Sequence, residues 1–291
     1  MAKQRIDKLL SHQGFGTRKD IKKLLRQADV FLNGKQIYDP SITIDPQTDV
    51  LTIDDEQIDF TEHYYIMMNK VAHTVSSNKD GEHQTVFDLL DESFHTPYLE
   101  EKLHLVGRLD MDTEGLLLFT TDGELTHKLI SPKSNINKTY FCVLEKTESE
   151  EHKKQIEELF LQGIEVGPED NEPGFKCQSA TVKWATSDQI QKWLDKSTYP
   201  KENILENTTV ALLTISEGKY HQVKRMFQAV QNKVVYLKRL SIGRLQLDTT
   251  LQPGEYKLLS DDDVKSCFCR LNIIIIVQSF KIFPTCNKSF S

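Results

Sequence analysis

Near the N-terminus the apolar positions fall first at helical and then at strand spacing. Ile21, Leu24, Leu25 and Ala28 stand at i, i+3, i+4 and i+7 and form one apolar stripe. Thr17 precedes them with Asp20 three residues on, a capping-box-like start that predicts a helix over GTRKDIKKLLRQA. A shorter helix is predicted over residues 5–12 (RIDKLLSH), interrupted by Gly14 and Gly16. In VFLNGKQI, Asn33-Gly34 between apolar-rich runs predicts a tight hairpin turn. A polar, acidic stretch around residues 54–59 follows. From about residue 63 short apolar runs alternate with turns: YYIMMN, TVFDLL, LHLVG, LLLFTT, TYFCVL, VALLTIS, KVVYLKRL and RLQLD. Helical stretches are predicted at residues 124–131, 150–161 and 221–231. Strands outnumber helices, and neither a strand-GxGxxG-helix nor a P-loop is present, so the fold class is α+β with a mostly antiparallel sheet.

Composition adds little to this picture, whereas charge distribution adds more. The 291 residues, 38% hydrophobic and 27% charged, have the balance of a soluble globular protein and suffice for a small domain plus a larger one. No apolar run approaches the roughly 20 residues of a bilayer span, and the N-terminus lacks a secretory core, so a cytoplasmic protein is expected. Cys142, Cys177, Cys267, Cys269 and Cys286 are odd in number and lack CxxC spacing, which argues against a disulfide framework and a zinc site. The net charge of −7 argues against nucleic acid as a partner, but it is unevenly spread. Residues 1–35 carry nine basic side chains against Asp7, Asp20 and Asp29, and residues 218–247 carry seven and no acid. Arg18, Lys19, Lys22, Lys23 and Arg26 fall off the apolar stripe of their helix, a pattern that suits a phosphate backbone. Two ordinary solvated faces are the alternative.

The chemistry concentrates in HLVGRLDMDTEGLLLFTTDGELTHKLISP, where two apolar strands flank a polar loop bearing Arg108, Asp110, Asp112 and Glu114. A calcium loop is excluded by the residues after Glu114-Gly115, and a phosphotransfer aspartate motif would need Thr or Val where Glu114 stands. By residue pattern alone, RLDMD reads better as a surface turn whose acids merely solvate it.

The longer pattern resolves this. The run from Arg5 to Ile37 resembles the S4 RNA-binding domain, although Ala28 stands where that family usually has Gly. GRLDMDTEGLLLFTTDG, then KTY at residues 138–140 and EGKYHQVKRMF at residues 217–227, resemble in order the signature segments of the RsuA-type pseudouridine synthases. The resemblance covers residues 3 to 263 and includes Asn69-Lys70, TVFDLLDE and PGEYKLL. In NKVAH, Val71 and His73 replace the family's usual Pro and Gly. His221-Gln222-Val223-Lys224 is most similar to the branch acting on small-subunit (16S) ribosomal RNA.

The resemblance implies an S4-like domain over residues 1–60 and a catalytic domain over residues 63–263. It implies isomerisation of a uridine in small-subunit rRNA with no cofactor and no metal. The alternatives are a large-subunit target, or an assembly factor that binds RNA without catalysis. Asp110 is implied as the nucleophile, Lys224 as its basic partner and Tyr140 as the tyrosine that stacks on the extruded uracil. Arg108, two residues from Asp110, is a second candidate cation, and Arg225 a phosphate ligand. Arg5, Arg18, Lys19, Lys22, Lys23 and Arg26 are the expected RNA contacts, and a monomer bound to rRNA or a small-subunit assembly intermediate is expected. His221, Met226 and Phe227 read as helix packing. Residues 264–291 match nothing in the family. They hold Cys267, Cys269, Cys286 and the β-branched run 273–277, and deleting residues 266–291 is expected to leave activity intact.

Overall fold

The computed structural model describes residues 3–200 and 208–268. Residues 269–291, with Cys269, Cys286 and the 273–277 run, lie outside the described residues. The N-terminal part comprises β1 (Gln4–Arg5), α1 (Ile6–His12), α2 (Arg18–Gln27), β2 (Val30–Leu32), β3 (Lys35–Gln36), β4 (Thr43–Ile44), β5 (Leu51–Ile53) and β6 (Glu56–Ile58). Its apolar residues form their own core, from Ile6 to Phe60.

Local chemistry accounts for these elements. The Thr17 hydroxyl accepts from the Asp20 N–H and the Asp20 carboxylate accepts from the Thr17 N–H, which closes the capping box of α2. Ile21 and Leu25 are buried. Asn33 and Gly34 both take positive φ, 51° and 78°, as a two-residue turn between right-twisted strands requires. Ala28 caps α2 at φ −102°, an extended conformation that does not require glycine.

The larger part runs through β7 (Tyr65–Lys70), α3 (Pro97–Lys102), β8 (His104–Leu105), β9 (Glu114–Thr120), α4 (Gly123–Ile130), β10 (Lys138–Leu144) and α5 (Glu150–Gln162). It continues through β11 (Glu165–Val166), β12 (Phe175–Lys176), β13 (Thr181–Trp184), α6 (Ser187–Leu194), β14 (Val210–Ile215) and α7 (Gln222–Ala229). It ends with β15 (Val234–Ile242), β16 (Leu245–Gln246), β17 (Tyr256–Leu258) and α8 (Asp261–Phe268). The central sheet has the order β13-β14-β10-β15-β9-β7-β17, with β16 on β15 and β8 on β9. Among the described strands of this sheet only the β15–β9 pairing is parallel, so the α+β expectation holds.

Both faces of the sheet are covered. Tyr140, Cys142 and Leu144 enter one core with residues of α3, α5 and α7, while Phe141 and Val143 enter the other with residues of α4, α6 and α8. Three expectations need correction. TVFDLL forms an isolated bridge at Thr85 and a 3-10 turn over Phe87–Leu89 rather than a regular strand. Glu114 is the first residue of β9 and wholly buried, not a loop acid. Residues 264–268 belong to α8, and Val264 and Phe268 are buried in the second core, so the unmatched segment begins inside the fold.

Candidate active site

The Asp110 loop joins β8 to β9 and is held by its backbone. The fully buried Lys70, last residue of β7, donates from Nζ to the carbonyls of Thr113 at 2.9 Å, Val71 at 3.1 Å and Met111 at 3.2 Å. The His73 N–H donates to Met111 O at 2.8 Å, and Ser76 Oγ donates to Leu109 O at 2.7 Å. Thr113 N–H closes the turn on Asp110 O at 3.1 Å. Gly115, at φ 102°, admits β15 beside the loop, since a Cβ there would lie 2.3 Å from the Arg239 carbonyl oxygen. NKVAH thus props the loop through Lys70 and the His73 N–H, with His73 itself taking the left-handed φ of 65°.

Across the loop stands the start of α7. Val223, Met226 and Phe227 fix the helix in the first core, as expected for the latter two. That anchorage directs Lys224 Nζ to within 3.2 Å of Asp110 Oδ2 and 2.7 and 2.9 Å of the two Asp112 oxygens. Burial alone would lower the Lys224 pKa, but the hydrogen bond and charge of Asp112 together with the charge of Asp110 outweigh it and raise the value. At Asp112 burial is likewise overcome by Lys224, and its carboxyl is held below the usual range.

Tyr140 lies on β10, register partner of Arg239 on β15, and is buried in the core that also contains Leu109 and Val223. Those two residues neighbour Asp110 and Lys224 in sequence, so one apolar cluster ties the tyrosine, the loop and the helix together. An aromatic side chain in the cluster that holds the sequence neighbours of Asp110 and Lys224 is of the type that an extruded base stacks on.

Several residues are placed otherwise than the sequence suggested. Arg108 is exposed and makes no ion pair among the described residues, so the cation on Asp110 is Lys224. Arg225 is buried, and its Nη2 donates to Gly167 O at 2.6 Å and Pro173 O at 2.7 Å. A guanidinium so committed braces the segment between β11 and β12 and is not a phosphate ligand. His221 is not helix packing. At the N-cap of α7, with φ 48°, it places Nε2 3.8 Å from Asp110 Oδ2 and Nδ1 3.3 Å from Glu169 Oε2. No second His or Cys near it in sequence signals this, because Glu169 arrives from the β11–β12 segment. Glu114 is paired with Lys238 at 3.6 Å in the interior and accepts from the Tyr236 hydroxyl at 2.7 Å. Burial pushes the Lys238 ammonium down to about 8 despite Glu114.

On the N-terminal part, Arg18, Lys19, Lys22, Lys23 and Arg26 are exposed along α2 and make no ion pair among the described residues. Arg5 differs, because both ends of its fork engage Asp7, at 3.1 and 2.8 Å. Its cation is occupied in fixing the start of α1.

Among the described residues, Glu169, Asp170 and His221 form a group compact enough for a cation, with ligand-type atoms within 4.8 Å of one another. Glu169 already engages His221, and Asp170 the Tyr220 hydroxyl at 3.1 Å, and we assign the group no metal.

Known proteins share this arrangement of domains. Residues 64–229 match the RNA pseudouridylate synthase family and residues 4–50 the S4 domain. An uncharacterized RNA pseudouridine synthase, YtzG, of Bacillus subtilis is 40% identical over 262 residues, 89% of this chain and 96% of the relative. Ribosomal small subunit pseudouridine synthase A of Escherichia coli is 33% identical over 262 residues, 90% of this chain and 99% of that protein. A crystal structure of a pseudouridylate synthase superposes with a TM-score of 0.53 at 34% identity, covering 90% of this chain and 98% of the other. With the S4 domain ahead of a sheet that carries the Asp110 loop, the chain belongs to the RNA pseudouridylate synthase family and is a pseudouridine synthase.

Proposed function

We propose that the chain isomerises a uridine of small-subunit ribosomal RNA in the cytoplasm, with Asp110 as nucleophile and without a cofactor. The observation that carries the catalytic part is the contact of Lys224 Nζ with Asp110 Oδ2 at 3.2 Å, made by segments over 100 residues apart. The contact sets a cation beside the oxygen that would attack, in position to hold the carboxylate in one orientation. Lys224 also holds Asp112, which is 64% exposed in its side chain and serves to orient the ammonium. Tyr140 offers the face on which the extruded uracil lies, and the five free cations of α2 grip the phosphate backbone away from the site.

In this reading the C1′–N1 bond breaks, the uracil turns, and the C1′–C5 bond forms, all within a site whose loop is fixed by Lys70 and Ser76. The small-subunit assignment rests on the relatives named for that activity, including the Escherichia coli protein, and on the His221-Gln222-Val223-Lys224 segment. The test is to incubate the purified protein separately with transcripts of small- and large-subunit rRNA and follow loss of hydrogen from uridine C5. Turnover on the small-subunit transcript alone is expected. Turnover confined to the large-subunit transcript would refute the target.

A further inference from the structure

Isomerising a uridine conserves its protons, yet two must move. When the C1′–N1 bond breaks, its electron pair stays on N1. When C5 joins C1′, C5 still carries hydrogen, which must leave as a proton and return its electron pair to the ring. N1 then takes up a proton. The site therefore needs a group that stores one proton between these steps.

Lys224 cannot serve while it is charged and hydrogen-bonded to Asp112. Among the described residues the second basic group within 4 Å of Asp110 is His221, whose two ring nitrogens face two carboxylates, Asp110 at 3.8 Å and Glu169 at 3.3 Å. The imidazole is held in place from several sides. It stacks on Tyr220 with ring centroids 3.8 Å apart, and the Tyr220 hydroxyl donates to Asp170. The turn bearing Glu169 is closed by backbone hydrogen bonds between Glu169 and Glu172 and is braced by the buried Arg225. The left-handed backbone at His221 is costly for a residue with a side chain and persists where the surroundings enforce it.

We propose that His221, oriented by Glu169, is the proton relay of Asp110, holding the proton that leaves C5 until one is delivered to N1. This rests on the reading that Asp110 acts on the uridine. Once C5 has displaced Asp110 from C1′, the free carboxylate takes the C5 proton and passes it to Nε2. The imidazolium is balanced by Glu169, and the same route returns a proton to N1, so no oxidant or further reactant is consumed. His221 acts through Asp110 and is a positioning and relaying residue. The other charged groups around it are Asp112 on the loop, Asp170 on the β11–β12 turn and Lys224 on α7.

The test compares the wild-type chain with His221→Gln and Glu169→Gln on small-subunit rRNA transcribed with ordinary or C5-deuterated uridine. The expected result for His221→Gln is a kcat about 100-fold lower, a KM within about twofold, and a larger C5 isotope effect than in the wild type. Glu169→Gln is expected to lower kcat about tenfold with the same change in isotope effect. A His221→Gln kcat within about threefold of wild type would overturn the relay, as would a fall in kcat without a larger isotope effect. Loss of wild-type activity in EDTA with recovery on adding zinc would overturn it in favour of a metal held by Glu169, Asp170 and His221. Asp110→Asn separates the two levels. Turnover by that variant removes the underlying reading, whereas an inactive Asp110→Asn beside a fully active His221→Gln removes the relay alone.

Discussion

The wholly buried ammonium of Lys70 donates to the carbonyl oxygen of Thr113 at 2.9 Å and thereby fixes the far end of the Asp110 loop from inside the protein. Burial lowers the Lys70 pKa to about 8, against the opposing pull of Asp112, Glu114 and Asp110. Between about pH 8 and the ordinary lysine value near 10.4 the unfolded chain holds this proton and the folded chain does not, so the Lys70 contribution to stability grows with pH in that window and is flat below it. Lys70→Met removes three hydrogen bonds and takes the Lys70 donor from the Thr113 carbonyl, while Met111 O keeps the His73 N–H and Val71 O the Thr74 hydroxyl, which should cost about 1–3 kcal/mol at pH 7. The stability gap between wild type and variant should widen from pH 8 to 10. Denaturant titrations at several pH values check this, and a gap that narrows as pH rises would contradict it.

His73 pays a conformational cost at φ 65° where the family usually has glycine. His73→Gly should therefore raise stability by about 0.5–1 kcal/mol, seen as a small rise in Tm, with turnover unchanged. A fall in Tm would show that the side chain supports the loop as well as its N–H does.

Much of the N-terminal part is legible in the sequence because its signals are local. The Thr17–Asp20 box, the Ile21–Leu25 stripe and the Asn33-Gly34 turn each depend on residues within a few positions of one another. The site is legible only in part. Asp110, Tyr140 and Lys224 stand in recognisable segments, but the role of Glu114 depends on Lys238, 124 residues on, and that of His221 on Glu169 in a turn without a distinctive pattern. Arg225 misleads for the same reason, since nothing local reveals that its partners are the carbonyls of residues 167 and 173.

The α2 cations make a prediction about salt. Replacing Lys22 by Ala should weaken binding to any structured RNA to a similar degree and reduce the steepness of log affinity against log salt by about one unit. Arg5→Ala should alter that slope less, because its guanidinium is engaged by Asp7. Equal changes in slope for the two variants would contradict the distinction.

Phe268 makes the C-terminal expectation testable. It is 3% exposed, and its ring lies against Gly243. Deleting residues 266–291 should therefore cost about 3–5 kcal/mol, and Phe268→Ala nearly as much, by loss of a buried aromatic. If the deletion leaves the urea midpoint unchanged, α8 contributes nothing to the fold.

The most direct measurement maps pseudouridine in the rRNA of cells that carry the wild-type protein, lack it, or carry Asp110→Asn. Expected is a position in small-subunit rRNA that is modified only with the wild-type protein and is as unmodified with Asp110→Asn as without the protein. Modification of that position in Asp110→Asn cells at the wild-type level would contradict Asp110 as the nucleophile.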